Sequence, residues 1–124
     1  MGWKIYLCEY KSTAIIFVSA FVGFITVTLA RMLINAPRPY ELYGFFEEKP
    51  KNKSGRSFPS RHAYSAFAIA TLSISFGAFL SCGLFLCAAV LCVCRVLLGI
   101  HFVRDVIAGA LIGIFSGAIG LLLI

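Results

Sequence analysis

Acidic side chains are scarce in this sequence, and so are charged side chains of any kind. The 124 residues include five acids, and Asp, Glu, Lys and Arg together make up 13% of the chain. Hydrophobic residues make up 60%, whereas soluble domains contain about 45–50% apolar and about 25% charged residues. The shortage of charge excludes an ordinary soluble domain and predicts an integral membrane protein.

Cysteine pairs with the Cys-x-x-Cys spacing are also missing. None of the five cysteines forms a Cys-x-x-Cys pair, so they fit small buried side chains better than zinc ligands or disulfides. The net charge is +6, but nearly all of the basic residues fall within 31–61 and 95–104. They form no stripe that would suit nucleic acid, and we expect them to face anionic headgroups or an anionic substrate.

Long apolar runs are what the sequence has in abundance. A membrane-spanning helix needs about 20 apolar residues, with roughly 17–25 tolerated, and a helix satisfies its own backbone polar groups within the bilayer. We therefore predict a single domain over 1–124, an all-α integral membrane helix bundle with a tight turn at Ser81–Gly83. The four predicted transmembrane helices are 12–34, 63–80, 82–98 and 106–124.

Two polar segments accompany these helices. Residues 1–11 combine Trp and Tyr with Lys and are predicted to form an interfacial segment. Residues 35–61 hold all four prolines, and loops of that length are usually functional or disordered. With four crossings, this loop and the junction Cys94–Asp105 lie on the same membrane face. We therefore treat 35–61 as the loop of the catalytic face.

The shared face collects the side chains that can carry chemistry. His62 and His101 are the two histidines of the chain, and both come out there with Asp105 and several arginines. A guanidinium group can donate two parallel hydrogen bonds to phosphate oxygens. Histidine can attack phosphorus or transfer a proton near neutral pH. Metal-assisted phosphate chemistry uses several carboxylates, but Asp105 is the only acid close to the histidines. We expect a phosphate ester as substrate, with no metal ion and no other cofactor.

The local spacing adds detail to this site. Ser60 stands where the second helix begins, so it can cap that helix, whose free N–H groups would bind an anion. His101 and Asp105 are four residues apart. If the last helix starts near His101, the carboxylate can hydrogen-bond the imidazole and fix its tautomer.

Three segments resemble the signature motifs of the type 2 phosphatidic acid phosphatase (PAP2) superfamily. The first is "RMLINAPRP", Arg31 to Pro39, with Arg31 at the position of a family Lys. The second is "PSRH", Pro59 to His62, with Arg61 at the position of a family Gly. The third is "CRVLLGIHFVRD", Cys94 to Asp105, with Cys94 in place of Ser. Their order and spacing match the family pattern.

The resemblance implies a role for each matched residue. His101 would be the nucleophile that forms a phosphohistidine, Asp105 would orient it, and His62 would protonate the leaving group. Arg61 departs from the family Gly by its bulk and its charge, so its side chain would either crowd the phosphate or reach a second phosphate of a diphosphate. The implied phosphate-binding residues are Arg31, Arg38, Ser60, Arg61 and Arg95.

The resemblance also implies the reaction, which is metal-independent hydrolysis of a phosphomonoester or diphosphate of a membrane lipid. Phosphatidic acid, phosphatidylglycerol phosphate and undecaprenyl diphosphate are candidate substrates. The alternatives are a phosphoryl or headgroup transferase of the same family and an inactive lipid-binding scaffold. We expect a multi-pass protein of the bacterial cell membrane, whose partners are the bilayer and the lipid substrate, without nucleic acid and with homodimerisation open.

Overall fold

The computed structural model describes residues 2–43 and 55–124, and the side chains of residues 2–8 and Tyr40 lie outside the description. No strand occurs in the described ranges, which confirms the predicted all-α fold. The helices are α1 (Gly2–Ile34), α2 (Pro39–Tyr43), α3 (Arg61–Leu72), a 3₁₀-helix (Ser73–Phe76), α4 (Ala78–Leu97) and α5 (Val103–Leu123).

Three helices in the described ranges are long and apolar enough to cross a membrane. These spans are Glu9–Ile34, Ala78–Leu97 and Val103–Leu123. Their outer faces expose large apolar side chains such as Phe17, Phe79 and Leu122, a pattern that suits lipid contact. Since α1 begins at Gly2, most of the predicted interfacial segment 1–11 belongs to the same helix as the first membrane span. Of the predicted loop 35–61, residues 44–54 lie outside the described residues.

The turn between the second and third predicted helices lies earlier in the chain than Ser81–Gly83. Helix α3 ends at Leu72, and α4 begins at Ala78. Between them, Gly77 adopts a φ of +138°, which glycine tolerates because it lacks a Cβ. Helix α3 is therefore 12 residues long, shorter than the predicted span 63–80.

Helix α3 lies at the centre of the bundle because glycines on α5 let the two helices approach closely. A Cβ added at Gly109 would overlap the carbonyl oxygen of Ser60, and one at Gly113 would lie 2.5 Å from that of Tyr64. At Gly117 an added Cβ would lie 2.7 Å from Cβ of Thr71. The spacing of these small residues thus serves helix packing, and it holds the start of α3 against the start of α5.

Tyr64 fastens α3 to the two helices beside it. Its side chain is 2% exposed. Its hydroxyl donates to the carbonyl oxygen of Ala20 on α1 at 2.8 Å and lies 3.2 Å from Oγ of Ser116 on α5. Within the bilayer these contacts satisfy a polar group that lipid could not.

Candidate active site

His101 lies in the short loop between α4 and α5. Gly99 turns this loop with a φ of +70°, a conformation that favours glycine. The His101 side chain is 1% exposed and that of Asp105 is 0% exposed. Nδ1 of the histidine lies 3.6 Å from Oδ2 of the carboxylate. The two predicted residues thus lie side by side, but their separation exceeds that of the direct hydrogen bond that the spacing predicted. Helix α5 begins only at Val103, after His101.

Ser57 fills the space between this histidine and this carboxylate. Its side chain is fully buried, and its hydroxyl donates to Oδ2 of Asp105. The same Oγ lies 3.4 Å from Nδ1 of His101. The backbone N–H of Ser57 donates to the carbonyl oxygen of Ala36 at 3.0 Å. The sequence analysis missed Ser57, because a serine in a polar loop gives no local sign of burial.

The carboxylate of Asp105 is also fixed by its own helix. The backbone N–H of Phe102, which immediately precedes α5, donates to Oδ2 of Asp105 at 2.8 Å. A carboxylate in the first turn of a helix satisfies a free N–H group and interacts favourably with the helix dipole. Asp105 is therefore oriented from two sides, by Phe102 and by Ser57.

Arg31 and Arg38 connect the first motif to the other two. Nη1 of Arg31 donates to the carbonyl oxygen of Pro59 at 3.3 Å. Arg38 donates from Nε to the carbonyl oxygen of Gly55 at 3.0 Å and from Nη1 to that of Ile100 at 3.4 Å. Both arginines are buried. They hold positive charge at the site while tying together segments that are distant in sequence.

Arg95 contacts His62. Nη2 of Arg95 lies 3.1 Å from Nδ1 of His62. Because a guanidinium has no acceptor, Arg95 is the donor, and the neutral imidazole carries its proton on Nε2. Burial and then the charge of Arg95 lower the pKa of His62, so this histidine is neutral at pH 7 before an anion binds.

Ser60 caps α3 as predicted. Its Oγ accepts from the backbone N–H of Ala63 at 3.3 Å, and its own N–H donates to the carbonyl oxygen of Asp105 at 3.0 Å. The second bond joins the start of α3 to the first turn of α5. The amino end of α3, which favours an anion, is thereby held beside the His101–Asp105 pair.

Arg61 differs from the other arginines of the site. Its guanidinium carbon lies 5.9 Å from the ring centroid of Phe24 on α1. Together with His62 it lines a cleft at the edge of the site. The structure thus brings all the predicted site residues to one end of the bundle, with Arg61 on the flank.

Two nitrogens of the site are buried without a partner among the described residues, Nε2 of His101 and Nε of Arg95. Buried polar groups are normally hydrogen-bonded, and exceptions call for an explanation such as an absent ligand. Burial lowers the pKa of His101, and this outweighs the opposing effect of Asp105. His101 is therefore neutral at pH 7, and with Nδ1 facing Ser57 and Asp105 its Nε2 is the free position.

Clustered metal ligands are absent from the described ranges. No group of three or more His, Cys, Asp or Glu side chains there could hold a metal ion. The donors that do converge are arginines and histidines, and these bind and transfer phosphate rather than coordinate a hard divalent cation.

An all-α membrane bundle that collects two histidines, a buried carboxylate and several arginines at one end has the fold and chemistry of a membrane-bound phosphate-transferring enzyme. The profile of the PAP2 superfamily matches residues 12–124. The chain belongs to the PAP2 superfamily and is a phosphatase of that type.

One solved structure with the same fold is LpxE from Aquifex aeolicus. The two chains are 30% identical and superpose with a TM-score of 0.73, over 94% of this chain and 71% of that chain. No curated protein sequence matches this chain. The structural match agrees with the family assignment.

Proposed function

We propose that this PAP2-type phosphatase hydrolyses a phosphate group of a membrane lipid through a phosphohistidine on His101, without a metal ion. The observation that carries the proposal is the environment of His101. Its Nδ1 faces Ser57 and Asp105, whereas its Nε2 is buried and has no partner in the described parts of the chain. The imidazole is supported on one side and free on the other, as a nucleophile requires.

The first step forms the bond between Nε2 of His101 and phosphorus. The bond from phosphorus to the leaving oxygen breaks, and His62 supplies the proton that this oxygen takes up. Three arginines balance the charge on the phosphoryl oxygens, the buried Arg31 and Arg38 and the half-buried Arg95. Their guanidinium groups stay protonated in this role.

The second step is hydrolysis of the phosphohistidine. A water molecule attacks phosphorus, and His62 accepts a proton from it. After the first step His62 is neutral, so the group that acted as the acid there can act as the base here. The bond to Nε2 breaks, inorganic phosphate leaves, and His101 returns to its neutral form.

The proton on His62 depends on the bound anion. In the free protein burial and then the surrounding positive charges lower the pKa of this histidine. A phosphate group placed among the arginines compensates those charges and so favours the protonated imidazole. We expect substrate binding to be accompanied by proton uptake at His62, which prepares the acid for the first step.

The substrate candidates are phosphatidic acid, phosphatidylglycerol phosphate and undecaprenyl diphosphate. A site at the end of membrane-spanning helices favours a headgroup phosphate over a soluble ester. The bacterial cell membrane is the location we propose. A homodimer remains a prediction.

The test is phosphate release in detergent with EDTA present, using the three lipids as a panel. His101→Ala is measured beside the wild type, and both are checked for the same elution profile. We expect release that survives EDTA, an acid-labile phosphoenzyme in the wild type, and neither in His101→Ala. Release that requires added divalent ions, or that persists in His101→Ala, would contradict the mechanism. Phosphate passed to an added alcohol instead of water would identify the transferase.

A further inference from the structure

Arg61 lies beside the leaving-group side of the site. It is the first residue of α3 and immediately precedes His62. The cleft that these two residues line has a volume of about 440 Å³. Ser65 adds a hydroxyl to its lining, and Phe24, Ala66 and Leu91 form its apolar walls. The cleft thus combines a cation, the proposed proton donor and an apolar surface.

The positive charge of Arg61 has no carboxylate partner in the described ranges. Its guanidinium carbon lies over the ring of Phe24, and it lies within electrostatic reach of Arg31. Asp105 is the described acid next to His101, and it also faces Ser57 and Arg104. Crowded like charges are unfavourable unless an anion compensates them.

The charges at the site exceed what one phosphate can compensate. The five arginines at the site are Arg31, Arg38, Arg56, Arg61 and Arg95, and together with Asp105 they leave four positive charges. The proton that His62 takes up on substrate binding adds a fifth. A phosphomonoester dianion would compensate two of these charges, and a fully ionised diphosphate ester would compensate one more.

The direction of nucleophilic attack determines where the second phosphate of a diphosphate lies. In an in-line displacement the leaving group lies opposite the nucleophile, so the leaving oxygen points away from His101, and the role proposed for His62 as proton donor puts His62 on that side. For a diphosphate attacked at its terminal phosphorus, the leaving group is a lipid monophosphate. Its phosphate would then lie in the cleft with Arg61, and its alkyl chain would follow the walls at Phe24 and Leu91.

We propose that Arg61 binds the second phosphate of a lipid diphosphate, so that the enzyme prefers lipid diphosphates to lipid monophosphates. This inference rests on the proposed function. Nε2 of His101 attacks the terminal phosphorus, and the bridging P–O bond breaks. The bridging oxygen leaves on the lipid monophosphate, whose charge Arg61 holds. Water then cleaves the phosphohistidine, so a lipid diphosphate and water give a lipid monophosphate and inorganic phosphate.

The test compares two substrates with identical acyl chains, diacylglycerol diphosphate and phosphatidic acid. The measured quantity is the ratio of their kcat/KM values in wild type and in Arg61→Gln. We expect Arg61→Gln to lower the ratio by about tenfold or more, because a charge-assisted contact is lost from one substrate only. Arg61→Lys should keep part of the preference, since it retains charge without the paired hydrogen bonds.

Arg104→Gln is the matched control. Arg104 also adjoins a site residue in sequence, and its guanidinium carbon lies 5.2 Å from the ring centroid of Phe102. Its side chain is 65% exposed, and its Nε lies 3.6 Å from Oδ1 of Asp105, but it does not line the cleft. An effect through Asp105 would fall on both substrates alike, so we expect Arg104→Gln to leave the ratio of the two substrates at its wild-type value.

The outcomes separate this inference from the proposed function. Hydrolysis of both lipids with a ratio that Arg61→Gln does not change would overturn the role of Arg61 and leave the phosphatase mechanism standing. A wild-type preference for phosphatidic acid would do the same. No phosphate release and no phosphoenzyme from either lipid would overturn the proposed function, and this inference with it. If Arg61→Gln does not fold, two other measurements decide the question. The first is the ratio of the two substrates in Arg61→Lys. The second compares inhibition of the wild type by inorganic diphosphate with inhibition by inorganic phosphate.

Discussion

Removing the hydroxyl of Ser57 should separate the orientation of His101 from the binding of phosphate. In the structure this hydroxyl donates to Oδ2 of Asp105 and lies 3.4 Å from Nδ1 of His101. Ser57→Ala would leave Oδ2 with the N–H of Phe102 and would leave the imidazole 3.6 Å from the carboxylate. No other described group bridges that gap. The nucleophile would lose its link to the group that orients it.

The size of the effect follows from the burial of this contact. A hydrogen bond to a charged group contributes about 1.5–3 kcal/mol, and about 1.4 kcal/mol corresponds to a factor of ten in rate. We expect kcat of Ser57→Ala to fall by about tenfold to a hundredfold. KM should change much less, because Ser57 faces Asp105 and His101 rather than the phosphate-binding arginines.

The assay is kcat and KM on the best lipid substrate, measured as a function of pH. The charged or titratable groups that act on His101 are Asp105, Arg38, Arg95 and His62. Weakening the link to Asp105 removes an influence that raises the pKa of His101, so the acid limb of kcat/KM should move to lower pH. A loss of folded protein would lower the amplitude without moving that limb.

Two variants control this experiment. Ser57→Thr keeps the hydroxyl and should recover most of kcat. Ser75→Ala removes a hydroxyl that bonds the carbonyl oxygen of Leu72 far from the site and should behave as wild type. A Ser57→Ala enzyme with kcat within about twofold of wild type would refute the reasoning, since it would make the contact worth less than about 0.5 kcal/mol.

Three further predictions concern packing and protonation. Gly109→Ala should lower both activity and melting temperature, because the added Cβ would overlap the carbonyl oxygen of Ser60. Gly83→Ala is the control, since its Cβ would enter open space and the variant should fold normally. Equal melting temperatures of the two variants would contradict this. Burial lowers the pKa of His101 below 6.5, so the acid limb of kcat/KM, on which His101 becomes protonated, should lie below about pH 6.5 when the profile is measured down to about pH 4.5; an acid limb above that pH would be inconsistent. Tyr64→Phe should lower the free energy of unfolding by about 0.5–1.5 kcal/mol per lost bond, measured by denaturation in detergent, and an unchanged value would show that its hydroxyl contacts are neutral.

Much of the site could be predicted because its chemistry is local in sequence. Arginine, histidine and aspartate are rare in apolar helices, so their positions stand out. The cap at Ser60 followed from a serine next to a helical run. The shared face followed from counting crossings, and the hydrogen bond from the N–H of Ser60 to the carbonyl oxygen of Asp105 is consistent with it.

The turn between α3 and α4 was harder to place. Either Gly77 or Gly83 could form the turn, because each follows a serine and an apolar residue in the sequence. The local sequence therefore does not choose between them. The choice depends on Ser81, whose hydroxyl donates to the carbonyl oxygen of Ala70 at 2.7 Å and is buried against α3. That contact joins two helices and makes Ser81 part of α4.

By itself, the sequence determined that this is an all-α membrane protein and which residue types meet at one face, because both follow from composition, period and spacing. Only the tertiary structure decided how those residues meet. It placed Ser57 between His101 and Asp105, left Nε2 of His101 free, and turned Arg61 toward Phe24. These features arise from contacts between segments that are distant along the chain, and no local pattern encodes such contacts.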